Sequence, residues 1–103
     1  MSTTSVLIQA RSCLAALADG AKRLDAASAY EQTLIELDRL YADDLPALDT
    51  TSLPADRTVL YVSAASSIEE LVEHGADALQ IELILARLED ARQLDDLGAR
   101  DGS

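Results

Sequence analysis

Both prolines of this chain, Pro46 and Pro54, fall in one stretch, residues 43–56, and little else in its 103 residues forbids a helix. Proline lacks the backbone donor and clashes with the preceding turn, so this stretch interrupts any helical pattern around it. Ala and Leu contribute 18 residues each, whereas Gly and Pro together contribute six. The first two are strong helix formers and the last two the strongest breakers. The expected fold class is therefore all-α: a small antiparallel helical bundle, either a helical hairpin or four helices, with dimerisation as a way to complete its core. That core is modest, because alanine buries little area and the chain has no Trp or Phe. Residues 1–98 read as a single helical domain, and residues 99–103 as a polar C-terminal tail.

Apolar residues on each side of the proline-bearing stretch recur at helical spacing. Val6, Ala10, Cys13 and Leu17 follow one another at four, three and four, with Leu7 and Leu14 widening the stripe. That pattern predicts a helix opening at Thr3 or Thr4 and stopping at Asp19-Gly20; Val6-Leu7-Ile8 as a short strand is the alternative. Tyr30, Leu34, Leu37 and Tyr41 repeat the spacing. Ser28 with Glu31 three positions on fits a capping box, so the second helix is expected to begin near Ser28. Whether residues 4–44 are two helices or one kinked helix depends on Gly20, which costs only about 1 kcal/mol inside a helix.

Beyond the break, Pro46 is expected to end one helix and Ser52 with Pro54 to open the next. Thr58-Val59-Leu60-Tyr61-Val62 is the only β-branched, aromatic run, and it is read as helix because its surroundings are helical. Ser66 or Ser67 can cap a further helix, which His74-Gly75 closes. Asp77 and Gln80 can cap the last one. That last helix carries the strongest pattern, with Ile81, Ile84, Leu85 and Leu88 at i, i+3, i+4 and i+7 and Leu83 and Leu94 beside them. Gly98 is expected to end it. A weak likeness between the two halves, pairing Gly20-Ala21 with Gly75-Ala76, needs gaps to align.

The inventory of reactive residues is short. One Cys and one His cannot build a disulfide or a four-ligand Cys/His zinc site. Cys13 lies on an apolar face, where a free thiol behaves as a small hydrophobe. His74 sits beside an expected helix end, which the helix dipole favours without any task. Glu70 and His74 share a face, yet no Glu-x-x-His spacing is present for a bundle metal centre. No phosphate loop or calcium loop has its required spacing. The expectation is no enzyme, no catalytic residue, no cofactor and no metal.

Gly75-Ala76-Asp77-Ala78-Leu79-Gln80-Ile81-Glu82-Leu83, running on to Leu88-Glu89, resembles the prosthetic-group segment of acyl carrier proteins. The family attaches phosphopantetheine to a serine after that aspartate, and here the position is Ala78. The resemblance covers about fifteen residues and implies a degenerate carrier-like domain that could not be loaded. Leu71 to Asp77 is likewise similar to the end of an ankyrin repeat, without the repeat's period.

Charge carries the most functional content. Nineteen acids against eight bases give −11, with −4 in residues 1–51 and −7 in residues 52–103. Such a surface repels phosphate, which disfavours direct nucleic-acid binding. The longest uncharged run, Thr58 to Ile68, is too short to span a membrane. No basic leader precedes the first apolar stretch, so a cytoplasmic and, from the arginine and alanine bias, bacterial setting is expected. The candidate acidic surface is Asp43, Asp44, Glu69, Glu70, Glu73, Glu89, Asp90, Asp95 and Asp96. The candidate interface is Leu34, Leu37, Tyr41, Ile81, Ile84, Leu85 and Leu88. Together they suggest a non-enzymatic interaction module that self-associates as a homodimer or other homo-oligomer and binds a protein partner. The alternative is an acidic inhibitor of a basic protein: an antitoxin, an immunity protein or a nucleic-acid mimic.

Overall fold

A computed structural model describes residues 3–41, 53 and 56–101 of the chain. It contains four helices: α1 (Thr3–Gly20), α2 (Leu24–Leu40), α3 (Arg57–Glu73) and α4 (Ala78–Asp101). No strand occurs among the described residues, so both Val6-Leu7-Ile8 and Thr58–Val62 are helical. Residues 4–40 form two helices, separated at Ala21–Arg23.

The neighbouring pairs are α1–α2, α1–α3, α2–α4 and α3–α4, which close a ring with α1 across from α4 and α2 across from α3. Direction follows from three contacts. Arg57, opening α3, donates from Nη2 to the Leu17 carbonyl near the end of α1 at 2.8 Å. Tyr30, early in α2, meets Asp95, late in α4. Arg87 of α4 lies 3.9 Å from Glu36 of α2. Neighbours are therefore antiparallel, and α2 and α3 run parallel across the diagonal. The end of α2 and the start of α3 therefore lie at opposite ends of the bundle.

The interior is built from the stripes the sequence marks. Val6, Leu7, Ala10, Cys13, Leu14 and Leu17 of α1 meet Leu60, Ala64, Ile68 and Leu71 of α3, with Tyr30 and Leu37 of α2 and Ile81, Ile84, Leu88 and Ala91 of α4. Each large side chain so covered contributes about 1.5–3 kcal/mol. Thr33 is also interior, and its hydroxyl donates to the Ala29 carbonyl at 2.9 Å, so it carries no unmet polar group.

The helix ends depart from expectation in four places. Helix α2 starts at Leu24, not at Ser28, because its entry needs no serine: Arg23 occupies the N-cap with no side-chain cap bond. Arg23 instead grips Asp25 through two bonds of 2.9 Å, and Asp25 accepts from the Ala26 N–H. Helix α3 starts at Arg57 and runs through Ser66 and Ser67, whose capping signature is overridden by burial of Ala64, Ser67 and Ile68 on one face. Its cap is Asp56, which accepts from the N–H groups of Thr58 and Val59. Ser52, Pro54 and Pro46 lie outside the described residues, and α2 has already ended at Leu40. Helix α4 continues through Gly98 to Asp101, since one glycine costs too little to stop an established helix.

Two glycines have specific tasks. Gly75 takes φ +99° after the C-cap His74. The Ala76 N–H then reaches the Leu71 carbonyl and the Gly75 N–H the Val72 carbonyl, which satisfies the open end of α3. Gly20 ends α1 where a Cβ would come 2.5 Å from Arg57 Nη1, so its missing side chain makes room for that guanidinium. Asp77, as expected, caps α4 by accepting from Leu79 and Gln80.

Candidate functional site

Helix α3 packs most extensively on α1 and α4 packs least on α3. A shallow cleft of about 370 Å³ lies between these two helices, with half-buried Ala65 of α3 and exposed Ala86 of α4 among its lining. Tyr61, Ala65, Leu85 and Ala86 form its apolar part, while Glu69, Glu82 and Glu89 add three carboxylates. Tyr61, Ala65 and Glu69 recur at four-residue steps, and Glu82 and Glu89 are seven apart, so each helix presents one continuous edge.

Tyr61 also lines a second cleft of about 220 Å³, bounded by Tyr30, Arg57, Arg92, Asp95 and Asp96. Arg57 is committed there. Its Nε donates to Asp95 Oδ2 at 2.9 Å, its Nη2 holds the Leu17 carbonyl, and its guanidinium lies 5.9 Å from the Tyr30 ring centroid. The Tyr30 hydroxyl donates to the same carboxylate oxygen at 3.3 Å. Burial, reinforced by the Asp95 charge, pushes the Tyr30 phenol well above its ordinary value. Arg92 is held more loosely: it lies 5.2 Å over the Tyr61 ring and 3.5 Å from Asp96, and its Nε has no partner.

The residues expected at an interface are distributed differently. Leu37, Ile81, Ile84 and Leu88 are buried within the single chain, and Leu34, Leu85 and Tyr41 are half-buried against that core. A helical stripe has the same spacing whether it faces its own bundle or a second chain. The large apolar residues left exposed include Leu24, Ile35, Val59, Val62, Leu79, Leu83 and Leu97.

The acids expected on one surface also separate. Glu69 and Glu89 come together at the α3–α4 groove, joined by Glu82, which the sequence reasoning overlooked. Its seven-residue spacing to Glu89 was the available signal. Glu70 turns toward α1, in a cleft with Ser5, Gln9, Ser63 and Ser66. Asp95 is drawn into the Arg57 cluster, and Asp96 flanks Arg92. Glu73 and Asp90 are exposed outside these clefts, and Asp43 and Asp44 lie outside the described residues.

Conventional reactive groups are placed apart from the groove. Cys13 is fully buried, and burial pushes its thiol up, away from the nucleophilic thiolate. His74 closes α3 at the far end, beside Tyr41 and Gly75. Among the described residues no three His, Cys, Asp or Glu side chains are gathered as a metal site, and no helix is long and apolar enough to cross a membrane. Ala78, where the carrier-protein resemblance would need serine, is the exposed first residue of α4. What this arrangement presents at the α3–α4 cleft is a partly apolar floor with carboxylates along its edges.

No protein-family model matches the chain, and neither a curated protein nor a solved structure is significantly similar to it.

Proposed function

We propose that the chain is a non-enzymatic protein-interaction module whose α3–α4 groove receives a basic amphipathic helix from a partner protein. One observation carries this reading: the groove's apolar residues, Tyr61, Ala65, Leu85 and Ala86, share their cleft with Glu69, Glu82 and Glu89 and with no basic side chain. A helix laid into a groove anchors through apolar residues one turn apart, and its flanking lysines or arginines meet the rim. Complementary charge adds selectivity and speeds encounter. Self-association draws less support, because a second copy brings the same −11 charge and four of the seven expected interface residues are interior. The lone, buried Cys13 is compatible with a reducing compartment, and we place the module in a bacterial cytoplasm on that and on composition.

The acidic-inhibitor form of the same reading is favoured by the overall charge. It differs in spreading the contact over many acids instead of concentrating it in the groove. A capture experiment separates the two. Wild type, a groove variant (Glu82→Lys with Glu89→Lys) and a distant control (Glu31→Lys) are compared for retained basic proteins. Loss in the groove variant alone supports the groove. Equal partial loss in both variants, with steep salt dependence, supports the inhibitor. An identical retained set for all three chains overturns both.

A further inference from the structure

We infer that the groove accepts its helix in one polarity, with the partner's C-terminal end at Arg92 and its N-terminal end between Glu69 and Glu82. This rests on the groove being a helix site; what it adds is direction and length. Tyr61 lines both the acidic cleft and the neighbouring arginine cleft, so the two adjoin at its ring and a helix laid along both would follow one channel. The channel is electrically uneven. Its lower part holds Glu69, Glu82 and Glu89. Its upper part holds Arg57 and Arg92 against Asp95 and Asp96, which balance formally.

A docked helix carries partial positive charge on its first N–H groups and partial negative charge on its last carbonyls. The first belong beside the three glutamates. The last need donors, and the two arginines differ in what they can give. Arg57 is occupied by Asp95 and the Leu17 carbonyl. Arg92 is 43% exposed and holds Asp96 only at 3.5 Å through Nη1, which makes it the more loosely held of the two. Open carbonyls or a terminal carboxylate are the acceptors that match it. Length follows from helical rise. Thr58 to Glu69 on α3 spans about 16 Å and Glu82 to Asp96 on α4 about 21 Å, which corresponds to a partner segment of about 11–14 residues.

The test uses the full chain and a designed 14-residue Lys/Leu/Ala amphipathic peptide with a free carboxylate, nitroxide-labelled at one end or the other. With the C-terminal label, paramagnetic broadening is expected at the amides of Thr58, Arg92 and Asp96. With the N-terminal label it is expected at Glu69 and Glu82. A reversed pattern, or the same pattern from both labels, overturns the polarity and leaves the groove reading standing. Absence of saturable shifts at Tyr61, Ala65, Leu85 and Ala86 overturns the groove reading itself. Arg92→Gln is expected to weaken the peptide about two- to fivefold, with Arg92→Lys recovering most of the loss. An Arg92→Gln chain that binds as tightly as wild type also overturns the polarity.

Discussion

Helix α3 faces two neighbours and makes a different kind of seam with each. Toward α1 it buries Leu60, Ala64, Ile68 and Leu71 in the core with Ala10, Cys13, Leu14 and Leu17, and the cleft of about 450 Å³ at the rim of this seam is lined mainly by Gln9 and serines. Toward α4 it presents Tyr61, Ala65 and Glu69, none of them fully buried, which line a shallow cleft edged by three glutamates. The two edges are offset by one residue in the sequence: 60, 64 and 68 against 61, 65 and 69. One step along a helix turns the side chain by about 100°, enough to separate the closed seam of the core from the open, surface-facing one.

The largest expected difference between the seams is in stability. Leu14→Ala, in the closed seam, is expected to cost about 2–5 kcal/mol, seen as a lower urea midpoint. Leu85→Ala, in the open seam, is expected to cost about 1 kcal/mol because that side chain is only half-buried. Equal costs would break the distinction. Next comes Arg57→Gln, expected to cost about 1–3 kcal/mol. Arg57 ties the end of α1 to α4, so its loss loosens both seams at once and leaves the Asp95 carboxylate without its cation.

Tyr30 sharpens the comparison through pH. Its folded phenol is held above the ordinary value of 10.0 by burial and by Asp95. Below that value neither state ionises and the contribution is fully present. Above it the unfolded chain loses its proton while the folded chain keeps it, so stability falls as pH rises, by up to about 1.4 kcal/mol per pH unit. Urea titrations between pH 9 and 11 on wild type and Tyr30→Phe are expected to show that fall flattened in the variant. The smallest effect is expected for Glu82→Lys with Glu89→Lys. Both side chains are exposed, and the unfolding midpoint should move by no more than about 0.5 kcal/mol even where binding is abolished. A large loss of stability there would mean the open seam is structural after all.

Much of the fold was legible because burial imposes a period. The α1 stripe, the Tyr30–Leu37 face, the Ile81–Leu88 run, the Gly75 turn and the Asp77 cap all rest on local chemistry and appear where the pattern put them. Helix starts were less legible. Ser28, Ser66 and Ser67 carry capping chemistry but sit inside helices whose packing prevails, and Arg23 opens α2 although its residue type gives no signal. The site was the least legible part. Nothing local says that α4 lies beside α3, so nothing joined Glu69 to Glu82 or Arg57 to Asp95, which are 38 residues apart. Whether a stripe is core or interface is illegible for a related reason, since periodicity reports a buried face without saying what buries it.

The helix termini also bear on the order of assembly. Helices α3 and α4 each begin on their own aspartate, Asp56 and Asp77, within three residues of the N–H groups those carboxylates hold. Helix α2 opens without a side-chain cap, and near the end of α1 the Leu17 carbonyl receives its partner from Arg57, forty positions later. The second hairpin therefore carries local instructions for its own helices, and the first completes itself against it. A nascent chain emits the first hairpin before Arg57, so the Leu17 carbonyl gains this partner only after forty further residues have been added.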